Sequence, residues 1–97
     1  MPTYITLVKF TEKGAADIKH SPDRLAAAKQ RARAGGGEFK AFYLTMGQYD
    51  AVSIVEAPND ETAIGGLLQA ASQGYIRTET LRAFTEDEYK KIVGRLP

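Results

Sequence analysis

The residues best suited to chemistry sit in "MGQYD", Met46–Asp50, where a strand-forming run stops at Gly47 and resumes two residues later. A carboxylate beside a phenol can bind a ligand amine at an interface. If kept dry, it can serve as a general base with a raised pKa. The competing reading is structural: Asp50 accepts backbone N–H groups at a turn or pairs with an arginine. The structural reading carries more weight. Tyr49 divides the same way, between packing across the hairpin and offering its hydroxyl.

A second cluster is "RTETLR", Arg77–Arg82. Strand alternation puts Arg77, Glu79 and Leu81 on one face and Thr78, Thr80 and Arg82 on the other. If two sheets stack, Thr78, Thr80 and Arg82 line a polar pocket between them, where Arg82 can grip a carboxylate bidentately. Alternatively Arg82 pairs with Asp50 or Glu56 and only pins the interface. His20, the single histidine, has Asp17 and Asp23 nearby. One histidine beside loop carboxylates is a poor metal site, so an exposed loop residue is the expectation, with no metal and no cofactor. "GGG", Gly35–Gly37, follows a helix and precedes no Lys-Ser/Thr, so it is no phosphate loop. "KQRARA" points its charges in several directions and reads as a solvated helix face. No nucleophile elbow accompanies the serines.

These residues need elements to hold them. "TYITLVKF" is β-rich and apolar on both faces, and "TEKG" ends it as a turn. "ADIK" has the look of a loose helical turn. "SPDR" opens a helix, with Ser21 as N-cap and Pro22 in the first turn, and "GGG" closes it. "EFKAFYLTM" and "YDAVSIVEA" form a hairpin around Gly47-Gln48, the pattern of a two-residue type II′ turn. That turn pairs Met46 with Tyr49, Leu44 with Ala51, Phe42 with Ser53, Thr45 with Asp50, Tyr43 with Val52 and Ala41 with Ile54. "PNDE" caps a helix with Ile64, Leu67, Leu68 and Ala71 on one face. Its Gly65 and Gly66 each cost roughly 1 kcal/mol relative to alanine, which implies close backbone approach. "YIRTETLRAF" is the fourth strand. "TEDE" is a capping box, Thr85 with Glu88, for a last helix whose apolar face is Tyr89, Ile92, Val93 and Leu96.

The order β-α-β-β-α-β-α is the ferredoxin-like α+β plan with one added helix, in one domain spanning 1–97. Four antiparallel strands carry helices on one face. The other face is apolar too, and the chain has nothing left to cover it. A second copy, sheet against sheet, is the expected cover, hence a homodimer or higher homo-oligomer. Net charge is +1, from 13 basic and 12 acidic residues, which gives no basic footprint for nucleic acid or membrane. There is no cysteine and no secretion-type N-terminus, so a cytoplasmic protein is expected.

"AFYLTMGQYD", "VEAP" and "RTETLRAFTEDE" together resemble the GYD-domain family of small bacterial and archaeal proteins, over essentially the whole chain. The motif falls on Gly47, Tyr49 and Asp50, with Gln48 at the tolerant position. The resemblance implies a dimeric α+β barrel and no assigned activity. The effector-binding domain of AsnC/Lrp-type regulators is a weaker analogue, with a similar turn near an amino-acid site. Two functions follow as expectations. The first is a homo-oligomer holding a small organic ligand at the sheet interface through Tyr43, Tyr49, Asp50, Thr78, Thr80 and Arg82. The second is a cofactor-free oxygenase or isomerase using Asp50, Arg82 and Tyr43 as base, anion holder and phenol. The scarcity of polar groups favours the first.

Overall fold

The computed structural model describes residues 1–97. Its elements are β1 (Thr3–Phe10), α1 (Glu12–Ala16), a 3-10 turn (Ile18–His20), α2 (Ser21–Ala34), β2 (Glu38–Leu44), β3 (Ala51–Glu56), α3 (Asp60–Ser72), β4 (Ile76–Ala83) and α4 (Glu86–Gly94). The four strands form one antiparallel sheet in the order β2-β3-β1-β4. This is the expected ferredoxin-like α+β plan, with α1 as an extra helix where the sequence suggested only turns.

The helix ends follow their capping chemistry. Thr11 caps α1 through the Gly14 N–H at 3.0 Å. Asn59 caps α3 through the Thr62 N–H at 2.8 Å. Thr85 and Glu88 close the expected reciprocal box on α4, at 2.8 and 3.2 Å. The bond from the Thr85 N–H also holds the Glu88 carboxyl below its ordinary pKa. The start of α2 differs from expectation. Ser21 already has helical φ/ψ, and His20 occupies the cap without a side-chain bond. The 3-10 turn before it runs straight into the helix, which leaves Ser21 no extended backbone from which to cap.

The hairpin pairs as read: Leu44 with Ala51, Tyr43 with Val52, Phe42 with Ser53 and Ala41 with Ile54. Its turn is looser than type II′. Gly47 does hold φ +106°, but the ladder ends at Leu44–Ala51 and a loop runs over Thr45–Asp50. The Thr45 N–H to Asp50 C=O bond, 2.9 Å, closes the base of that loop.

Register settles the two faces of the sheet, since cross-strand partners share a face. Tyr4, Thr6 and Val8 of β1, with Ala51 and Ser53 of β3, are buried beneath α2 and α3. Ile5, Leu7, Val52 and Ile54 occupy the opposite face, with Tyr43 61% and Leu81 48% exposed. The second face is thus apolar and uncovered.

The helices correct two expectations. On α3, Leu67 turns inward, but Ile64 and Leu68 are 52% and 64% exposed. Ala63, Gly66 and Ala70 share the inward side with Leu67. The stripe is rotated because the small residues, not the branched ones, lie over the sheet. A Cβ on Gly65 or Gly66 would meet nothing within 4 Å, so these glycines serve no close approach within the chain. On α4, Tyr89, Ile92, Val93 and Leu96 are all exposed.

Candidate functional site

Three consecutive features of the β2–β3 loop tie the sheet together. Gly47 supplies the left-handed backbone that turns the chain. Asp50 donates its N–H to Val8 C=O at 2.8 Å, and its carboxylate accepts the Phe10 N–H at 2.9 Å. Both bonds fasten the end of β1. Tyr49 reaches further, over β1 to β4, and its hydroxyl donates to Glu79 Oε2 at 2.7 Å. The Lys9 ammonium stands 5.4 Å from the centre of its ring. The hydrogen bond to Glu79 raises the Tyr49 pKa above its ordinary value, with burial adding to it. Thr45 Oγ1 donates to Tyr49 C=O at 2.7 Å and steadies the loop. The arrangement is a clasp across one end of the sheet, in which Asp50 acts as the turn carboxylate of the structural reading.

The six residues read from sequence as one ligand site are split. Tyr43 and Tyr49 lie on the uncovered face. Thr78, Thr80 and Arg82 lie opposite Val8, Thr6 and Tyr4, beneath the helices. Asp50 sits between, at the sheet's end. The alternation within β4 is as expected, but its polar set points away from the uncovered face. Both faces are apolar in sequence, so alternation alone left their assignment open. Arg82 pairs with neither Asp50 nor Glu56. Its guanidinium stacks 4.4 Å from the Phe84 ring and donates to Ala83 C=O. His20 is exposed, with Nδ1 2.6 Å from Asp17 Oδ1, and Arg24 meets the other Asp17 oxygen at 2.9 Å. The shared bond raises the His20 pKa and lowers that of Asp17.

A different site was missed. Between α2, α3 and the sheet lies an open cavity of about 370 Å³. Its walls are mostly apolar, and their helical side is dominated by small residues, Ala28 and Ala32 of α2 with Ala63, Gly66 and Ala70 of α3, beside Leu25 and Leu67. Its floor is crossed by a row of hydroxyls. Ser53 and Thr6 are register partners on adjacent strands, and the Thr6 hydroxyl is 3.0 Å from that of Thr80, just outside the cavity on β4. At one end Tyr4, its pKa raised first by burial, donates to Asp60 at the start of α3. At the other, Tyr75 lies under the Arg24 guanidinium at 4.0 Å. The sequence signal was the inward spacing of Ala63, Gly66 and Ala70, which reads as poor helix packing until the sheet is seen beneath it.

The clasp and the fold agree with the comparison to known families, in which the GYD domain matches residues 4–93. The chain belongs to the GYD family. Gly47, Tyr49 and Asp50, which build the clasp, lie within the matched span. A GYD relative from Thermus thermophilus is 37% identical over 84 residues, 86% of this chain and 88% of the relative. That protein is named as a glutamine synthetase and cystathionine beta-lyase binding protein. Two solved structures share the fold. FFRP-DM1 has a TM-score of 0.61 at 19% identity, covering 87% of this chain and all of that one. TTHA0845, also from Thermus thermophilus, has a TM-score of 0.55 at 24% identity, covering 88% and 95%. No helix of this GYD protein is long and apolar enough to cross a membrane.

Proposed function

We propose that this GYD protein is a homo-oligomeric binding protein that docks on a metabolic enzyme. The observation that carries the reading is the uncovered sheet face, where Leu7, Val52 and Ile54 lie among Tyr43 and Leu81. An apolar face of this kind is costly in water and is suited to burial against a second copy. The pairing leaves the exposed side of α3, on the helix-covered face, for a different partner. The Thermus relative, named for two enzymes that it binds, suggests the class of that partner. A cytoplasmic setting fits such a role.

The oxygenase or isomerase reading has less support. Asp50 is engaged by the Phe10 N–H, and Tyr49 by Glu79. Arg82 lies on the other face of the sheet from Tyr43.

Analytical ultracentrifugation tests the first half. The wild type sediments as a dimer or larger, and Leu7→Glu, which puts a charge into the face, sediments as a folded monomer. A wild-type monomer at tens of micromolar protein would sink self-association. Biolayer interferometry against purified glutamine synthetase and cystathionine β-lyase from the same host tests the second. An intact oligomer that binds neither enzyme overturns the partner assignment and leaves the oligomer standing.

A further inference from the structure

We propose that the cavity between the helices and the sheet is a binding site for a small neutral organic molecule. That molecule is apolar over most of its surface and carries one hydroxyl, carbonyl or amide group. The site is on the opposite side of the sheet from the self-association face, so it stands whether or not the sheets pair.

Three observations carry the inference. The first is size. About 370 Å³ falls within the range of small-molecule sites, and the chamber opens to solvent, which gives a ligand a way in. The second is the origin of the space. Helix α3 turns Ile64 and Leu68 outward and sets Ala63, Gly66 and Ala70 over the sheet. Of the bulky residues on this helix only Leu67 points inward, and the two that could fill the gap further lie on its other side. The third is the floor. Ser53 and Thr6 are buried at the centre of the sheet, where Val or Ile would pack a solid core. Their hydroxyls give an otherwise apolar chamber one polar stripe, and such a stripe orients a ligand.

The lining sets the class. Arg24 lines the cavity but is ion-paired with Asp17 at 2.9 Å and stacked on Tyr75. Glu56, at the far end, has Lys40 at 4.0 Å. Arg31, the third charged lining residue, has no ion partner, so the preference for a neutral molecule rests on the mostly apolar lining and the sulfonate control tests it.

The test uses 2-naphthol as probe, with naphthalene and 2-naphthalenesulfonate as controls, followed by fluorescence and calorimetry on the full chain. The expected result is saturable binding of one 2-naphthol per chain. Naphthalene, which leaves the hydroxyls unanswered, binds about tenfold weaker, and the sulfonate weaker still. Ala70→Leu fills the chamber and lowers 2-naphthol affinity at least tenfold while the melting temperature holds or rises. Ser53→Ala narrows the gap between naphthol and naphthalene. Absence of saturable binding overturns the proposal, as does an Ala70→Leu variant that is folded and binds unchanged. Dissociation of an oligomer by 2-naphthol would also overturn it, because side chains of a second copy would then be the natural filling.

Discussion

Replacing Asp50 with alanine separates the two meanings of the motif's last residue. The carboxylate accepts the Phe10 N–H at 2.9 Å, in a part-buried setting at the end of the central strand. A hydrogen bond to a charged group contributes about 1.5–3 kcal/mol, and its loss leaves the N–H without its partner. Water reaches part of this site, so the lower half of that range applies, about 1.5–2 kcal/mol. For a domain of this size that is a fall in melting temperature of about 6–16 °C. Asp50→Asn keeps an acceptor oxygen but loses the charge, and recovers about half of the loss. Urea denaturation of the three proteins, followed by circular dichroism, reads the difference directly. Amide exchange at Phe10 should quicken in the alanine variant. The reasoning is refuted if Asp50→Ala unfolds within about 0.5 kcal/mol of wild type. If that stable variant also lost a binding activity, Asp50 would be a working group and the clasp incidental.

Two further outcomes follow from local geometry. A Cβ on Gly14 would collide with the Tyr75 carbonyl oxygen, which also accepts the Thr11 N–H at 3.1 Å. Gly14→Ala should therefore destabilise by more than about 3 kcal/mol although alanine is the better helix former, and an unchanged thermal melt would show that α1 does not sit against Tyr75. His20 has a raised folded-state pKa, so its tie to Asp17 stabilises fully below the unfolded value near 6.5 and fades as pH rises through the folded one. The lone histidine gives a single proton-NMR titration that should lie above that value. The urea midpoint should fall as pH rises through the window, and His20→Gln should flatten the fall; a titration at or below 6.5 would refute the pairing.

Much of the local chemistry was legible in the sequence, although Ser21 does not cap α2 and the turn at Gly47 is looser than the two-residue form read for it. The Thr85–Glu88 box, the Asn59 cap, the Gly47 turn and the hairpin pairing from Ala41–Ile54 to Leu44–Ala51 all depend on neighbours a few positions away. What depends on distant strands was not. Thr78 and Thr80 were placed on one face of β4 correctly, but which face looks at the helices is decided by pairing with Val8 and Thr6. Hydrophobicity could not decide it, because Ile5 and Leu7 make the other face as apolar as Tyr4 and Val8 make the covered one. The same limit hid Glu79 as the partner of Tyr49, since the bond joins residues 30 positions apart. On α3 the period of Ile64, Leu67, Leu68 and Ala71 was real, yet packing favoured the small residues and turned the strongest apolar pair to solvent. The cavity was illegible because empty space is a property of two surfaces, and the sequence describes each alone.

The position of β1 in the sheet has a bearing on synthesis. It leaves the ribosome before the other three strands, yet it ends between β3 and β4. The Thr6 and Thr80 hydroxyls that meet in the folded protein are 74 residues apart in the chain. At about 5–20 residues per second, β1 waits about 4–15 s for its second neighbour. Throughout that time it is an apolar ribbon with an unsatisfied edge, the kind of segment that chaperones hold and that pairs with other nascent chains. The clasp comes after β1, and its bond to Glu79 must wait for β4. The motif that locks the sheet therefore acts late in folding, and damage to it should first appear as a poor yield of soluble protein.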